Sequence, residues 1–161
     1  MERQWSLEES VKVDAPPSVV YGWVSDLRNM GRWSPECRSV WVLRPPARAG
    51  SRFVGFNRRG LFVWPTFGRV TRARADSEFV FDISALGLPI ARWGYRFEPE
   101  GSGTRVTEFW EDLRTEGYRG RIAVFLGVLF AGTDAARRAE VNRAGMRTTL
   151  ERIARTATAG S

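Results

Sequence analysis

Glu108 lies in the run Val106-Thr107-Glu108-Phe109-Trp110, with an apolar residue two positions away on either side. If Val106 faces the interior, as a central strand requires, period-two alternation turns Glu108 and Trp110 inward with it. A carboxyl beside a tryptophan in an apolar pocket resists ionisation, because desolvation disfavours its charged form. It can then give a proton to a carbonyl or a leaving hydroxyl, or take an acidic proton from a carbon between two carbonyls. The alternative is an ion pair with Arg92 or Arg96 on a solvent face.

Trp93, Tyr95 and Phe97 alternate with Arg92, Gly94 and Arg96. An inward face for the aromatic set makes Tyr95 a second candidate catalytic residue, a pocket hydroxyl able to orient a carbonyl. The other reading is a core aromatic with its hydroxyl at the rim. Asn57 shares a face with Phe53 and Gly55 and offers an amide donor, unless it only prepares the turn at Arg58-Arg59-Gly60. Gly55 suits a strand that bends or that a ligand approaches closely. Trp33, Phe53, Trp64, Phe81, Trp93, Trp110 and Met146 are candidate cavity walls, each also readable as plain core. Asn142, on the flank of the last helix's apolar face, is a candidate cavity donor. Asp82 alternates away from Phe79, Phe81 and Ile83 and reads as solvated. Cys37 has no base beside it and reads as inert.

The chain contains no histidine. That excludes Ser-His and Cys-His nucleophilic machinery and histidine-ligated zinc, so acid–base work near neutrality falls to carboxylates, tyrosine, arginine-organised water or the single thiol. Neither a metal nor another cofactor is implied. The single cysteine rules out an internal disulfide framework. Net charge is +7, with Lys12 the only lysine. Arginines scattered over strands, loops and the last helix, rather than gathered in one run, argue against nucleic acid as the partner.

These residues need elements to position them. At 161 residues the chain makes a single domain spanning 1–161, long enough to bury a core without staples. Trp5, Leu7, Val11 and Val13 alternate with Ser6, Glu8, Ser10 and Lys12 as a half-buried strand. Pro16-Pro17-Ser18 opens a short helix whose buried face is Val20, Trp23, Val24 and Leu27, and Met30-Gly31-Arg32-Trp33 adds one more helical turn. Strands follow at Val40–Leu43, Arg52–Arg58, Phe62–Arg74, Phe79–Ser84 and Arg92–Phe97. A Gly101-Ser102-Gly103 hairpin leads into the last, Arg105–Leu113. Gly-rich turns between short strands predict an antiparallel meander.

The last helix is expected at Asp134 to Thr158, capped by Gly132-Thr133-Asp134. Ala139, Met146, Leu150, Ile153 and Ala157 share one face. Its length, about 25 residues or roughly 37 Å, suits it to lie across a curved sheet. Ile122 to Ala131 is apolar on nearly all sides and too short to span a bilayer. It reads as a lid over the cavity through Phe125 and Leu129, as a homodimer contact, or as a contact with a membrane surface. Met1-Glu2-Arg3-Gln4 leads into a strand pattern rather than a secretory signal, so a cytoplasmic location is expected.

Several runs carry a resemblance. Val11-Lys12-Val13-Asp14-Ala15-Pro16-Pro17-Ser18-Val19-Val20-Tyr21, Met30-Gly31-Arg32-Trp33-Ser34-Pro35-Glu36, Asn57-Arg58-Arg59-Gly60, Ala91-Arg92-Trp93, Thr104 to Asp112 and Asn142 to Leu150 resemble the START/SRPBCC (Bet v 1-like) superfamily, in particular its polyketide cyclase/dehydrase group. The resemblance implies an α+β helix-grip fold. A curved antiparallel sheet of about seven strands wraps a long C-terminal helix, with two short helices after the first strand. It also implies a cavity between sheet and helix that holds a hydrophobic small molecule. Activity in that group ranges from cyclisation or dehydration of polycarbonyl or aromatic substrates to non-catalytic carriage of lipid-like ligands.

Overall fold

A computed structural model of the chain describes residues 6–85, 87–114 and 135–159. It is a helix-grip α+β fold. Strand β1 (Ser6–Val13) leads into helix α1 (Pro17–Ser25), a 3-10 turn (Leu27–Asn29) and the one-turn helix α2 (Met30–Trp33). Six strands follow: β2 (Cys37–Val42), β3 (Arg52–Arg59), β4 (Phe62–Arg74), β5 (Glu78–Ala85), β6 (Leu88–Glu100) and β7 (Gly103–Asp112). Helix α3 (Ala135–Ala159) closes the described chain. The seven strands form one antiparallel curved sheet in the order β1-β7-β6-β5-β4-β3-β2, so β1 and β2 are its edges.

Local chemistry accounts for the junctions. Pro16 sits at the N-cap of α1 in extended backbone and Pro17 occupies the first turn, where a missing N–H costs nothing. Asp26 ends α1 and accepts from the Arg28 N–H, which starts the 3-10 turn and buries Leu27. Gly101, at φ +59°, makes the two-residue turn between Glu100 and Gly103, so β7 starts at Gly103 rather than Arg105. Strand β6 likewise begins earlier than its aromatic alternation suggests, at Leu88. Just after that turn, the Thr104 hydroxyl donates to the Ala15 carbonyl at 2.7 Å and ties β7 to the start of α1.

Helix α3 lies against the sheet's concave face and packs most extensively on β1. Ala139, Asn142, Met146, Thr149, Leu150 and Ile153 are its buried residues. One core cluster joins Val13, Val20, Phe79, Phe97, Val106, Leu150 and Ile153. A second joins Leu7, Ala91, Trp110, Ala139 and Met146. Among the described residues no helix is long and apolar enough to cross a membrane. The apolar segment 122–131, with Phe125 and Leu129, and the expected cap at residues 132–134 lie outside the described residues.

Candidate ligand cavity and its buried carboxyl

Strand register builds the site. Tyr95 of β6 is directly opposite Glu108 of β7, and Phe79 of β5 is opposite Tyr95. One step along, Phe81, Trp93 and Trp110 form a second row on the same face. Paired residues in an antiparallel ladder share a face, so two rows of aromatics surround one carboxyl. Glu108 is 3% exposed and Tyr95 is 2% exposed. The Tyr95 hydroxyl donates to Oε1 of Glu108 at 2.9 Å. Oε2 of Glu108 is buried and has no hydrogen-bond partner.

The arginines that would have made Glu108 an outward ion pair are engaged elsewhere. Arg92 forms a two-point contact with Asp82 at 2.8 and 3.1 Å and reaches Glu111, and Arg96 pairs with Glu8. Asp82 is therefore half-buried and ion-paired on the outer face. Glu9, opposite Glu108 on β1, turns to α3 and meets Arg143 at 3.0 Å and Arg147 at 3.3 Å.

Burial pushes the Glu108 carboxyl up to about 8, against the opposing pull of the Tyr95 hydrogen bond. Near neutral pH it is mostly a neutral acid. Burial, and next the neighbouring Glu108, hold the Tyr95 phenol well above its ordinary range. Burial also pushes the Cys37 thiol up to about 11. With its Sγ directed at the Ser39 carbonyl, 3.6 Å away, Cys37 is a poor nucleophile.

Between sheet and α3 lies a cavity of about 610 Å³ whose wall includes Glu108 and Tyr95. That is room for a drug-sized molecule. Phe53, Asn57, Trp64, Phe81, Trp93, Trp110, Asn142 and Met146 also line it. Trp33 does not. It is 3% exposed and packs in the main core beneath α1 and α3, its carbonyl accepting from Arg152. The short α2 turns its ring toward the core instead of the cavity.

Two further expectations change in detail. Asn57, readable as an amide donor to a ligand or as preparation for the turn, lines the cavity but donates its Nδ2 within the sheet, to the Trp64 carbonyl at 3.3 Å and Thr66 Oγ1 at 3.1 Å. The hydroxyl of Tyr95, readable as orienting a ligand carbonyl or as lying at the rim of a core aromatic, is directed to Glu108.

Sequence reasoning missed a polar set on the same wall. Arg138 of α3 grips Glu36 at 2.6 Å and lies over the Trp64 ring, while Arg59 approaches Glu36 at 3.9 Å. All three border the cavity. Arg114, also on the wall, holds Asp112 in a buried pair, with contacts of 2.8 and 2.7 Å. Thr149 of α3 is buried there too. The only available signal was weak: Glu36 follows the α2 turn, and Arg138 flanks the apolar face of α3.

This arrangement, a deep apolar cavity under a long helix, agrees with what the chain resembles. Residues 4–158 match the family described as polyketide cyclase / dehydrase and lipid transport. The chain belongs to this family. Among solved structures it is similar to the Polyketide_cyc-like protein Cgl2372 of Corynebacterium glutamicum, at 27% identity and TM-score 0.63, covering 97% of this chain and 93% of that one. It shares its fold with the di-domain ARO/CYC BexL, at 22% identity and TM-score 0.67, where 95% of this chain matches 50% of that one. It also shares its fold with Ara h 8.0201, at 9% identity and TM-score 0.64, covering 96% and 97% of the two chains. No curated protein matches the sequence. Family membership and cavity together make hydrophobic small molecules the general kind of ligand.

Proposed function

We propose that the cavity binds a largely apolar molecule bearing carbonyl groups, and that Glu108 moves protons during its cyclisation or dehydration. The observation that carries this reading is the free Oε2 of Glu108, buried on the wall of the cavity with no partner of its own. A neutral carboxyl there presents an O–H to a ligand oxygen in a water-poor setting, where such a bond is strong.

In an aldol closure, a bond forms between an enol carbon and a ketone carbon. Glu108 gives its proton to the ketone oxygen, and the carboxylate so formed takes the enol hydroxyl proton, which restores the acid. In a dehydration, ionised Glu108 takes the proton from a carbon next to a carbonyl. It returns that proton to the hydroxyl leaving the neighbouring carbon, so a double bond forms and water departs. Tyr95 is a positioning residue in both cases: its O–H fixes Oε1 and steadies the transient carboxylate. Folding the ligand against Trp93, Trp110 and Met146 supplies the rest, by holding the reacting carbons together.

The family description also covers lipid transport, and an apolar cavity equally suits a non-catalytic carrier. Native mass spectrometry of the protein from its own source, with identification of what co-purifies, supplies a ligand on which to separate the two. With a polycarbonyl ligand, Glu108→Gln is expected to lower turnover by about 10²- to 10⁴-fold while binding stays within a few-fold. Unchanged turnover removes Glu108 from the mechanism, and varied ligands all recovered unaltered favour the carrier.

A further inference from the structure

The outer face of the sheet at its β2–β4 end is apolar, and none of the described elements covers it. Trp41, Val54 and Phe67 run side by side across three strands, with Phe56 and Pro65 in the next row. Trp41 is 64% exposed, and Phe56 and Phe67 are each about half exposed. The β3–β4 hairpin carries this surface on to its tip, where Gly60 at φ +59° turns the chain and leaves Leu61 95% and Val63 66% exposed; Phe62, half exposed, is paired with Arg59 and alternates to the other side of the same tip. Soluble monomers rarely leave so many large apolar side chains together on one face.

The charges beside this face that have no ion-pair partner among the described residues are positive. Arg52 and Arg69 stand directly opposite each other in the ladder, a placement that like charges disfavour. Asp82 is the residue opposite Arg69 on β5, but Arg92 already holds both its oxygens. The Arg58 side chain, opposite Val63, donates only to the Gly60 carbonyl among the described residues. Arg52, Arg58 and Arg69 make no ion pair among the described residues, although many other arginines there pair with a carboxylate. Apolar side chains to bury and unanswered positive charge beside them call for a partner that is apolar within and anionic at its surface.

We propose that this face, led by the β3–β4 tip, docks on an anionic lipid bilayer. Leu61, Phe62 and Val63 enter the acyl boundary, Trp41 and Phe56 lie at the interface, and Arg52, Arg58 and Arg69 meet lipid phosphates. A second copy of the chain fits less well. A two-fold contact on this face would press these arginines against their own counterparts, in a chain of net charge +7. Docking also has a consequence for the cavity. Arg59 and Trp64, on either side of the tip, line it, so docking brings that end of the cavity to the membrane, where an apolar ligand resides. The proposal stands whether or not the cavity catalyses.

Co-sedimentation of the full chain with vesicles tests it. Binding to vesicles of equimolar phosphatidylcholine and phosphatidylglycerol is expected, at least about tenfold tighter than to phosphatidylcholine alone. The pair Leu61→Ser and Phe62→Ser is expected to weaken it about tenfold or more, and the pair Arg52→Gln and Arg69→Gln roughly 25-fold. All four side chains are exposed and lie off the cavity wall, so the variants' unchanged thermal melts show that the fold is intact. No binding to anionic vesicles, or binding indifferent to both pairs, overturns the proposal. So does a dimer by light scattering that Trp41→Ser dissolves, which would assign the face to a second copy.

Discussion

At the scale of single residues, the account rests on a carboxyl that folding places where its charged form is disfavoured. Glu108 titrates near 8 in the folded chain and at an ordinary glutamate value once unfolded. Between those two values the folded state holds a proton that the unfolded state has lost. Raising the pH through that window therefore lowers stability, and above it the loss levels off. Glu108→Gln keeps the acceptor for Tyr95 and removes the titration. The variant is expected to match the wild type at about pH 5 and to exceed it by a few kcal/mol at about pH 9, as urea unfolding at the two conditions would measure. Parallel stability curves would mean that Glu108 is solvated. Inward placement of Glu108 was legible from alternation with Val106 and Trp110. Its partnership with Tyr95 was legible in principle as well. Once Gly101-Ser102 is taken as a two-residue turn that pairs Glu100 with Gly103, counting back along both strands sets Tyr95 opposite Glu108. Which of the two residues offers a free polar atom to the cavity depends on side-chain torsions, which no pattern of residue types specifies.

Among the elements, the strands carry glycines whose purpose alternation does not disclose. The ring of Phe53 covers Gly68 from the neighbouring strand, and a Cβ there would stand 2.1 Å from its Cζ. Phe109 covers Gly94 in the same way on the outer face, with Arg96 above its ring. Phe53 also lines the cavity. Gly68→Ala is therefore expected to displace that ring, to cost about 1–3 kcal/mol of stability and to weaken ligand binding, both read from denaturant melts with and without ligand. A fully stable variant would show that the ring moves aside freely. Strand β4 shows a different limit. Trp64, Thr66, Gly68 and Val70 point inward, but the register slips between Val70 and Arg72, and Ala73 is the next inward residue. A bulge reverses the parity of everything beyond it, and Thr-Arg in an Arg-rich strand gives no local sign of it. Helix α3 was the most legible element, since five apolar positions at helical spacing defined its buried face.

For the whole molecule, element order and the hairpin turns were enough to predict an α+β domain with its last helix laid across a curved antiparallel sheet, because a long amphipathic helix after a meander has one economical place to go; the helix-grip fold itself came from the family resemblance. The cavity lies between the sheet and α3, where Phe81 of β5, Trp93 and Tyr95 of β6 and Trp110 of β7 line it. Trp33, readable from the sequence as cavity wall or as plain core, takes the second place because α2 turns its ring into the core. The polar set at Glu36, Arg59 and Arg138 depends on contacts between residues far apart in sequence, so only the folded chain displays it. The central claim is that this fold keeps a neutral acid facing an apolar cavity. Its most direct test is a carbon-13 NMR titration of the glutamate side-chain carboxyls, with Glu108 assigned by the signal lost in Glu108→Gln. The account predicts a midpoint near 8, moving higher in Tyr95→Phe, where the hydrogen bond that favours the carboxylate is gone. A midpoint in the ordinary range of glutamates, unmoved by Tyr95→Phe, would contradict it.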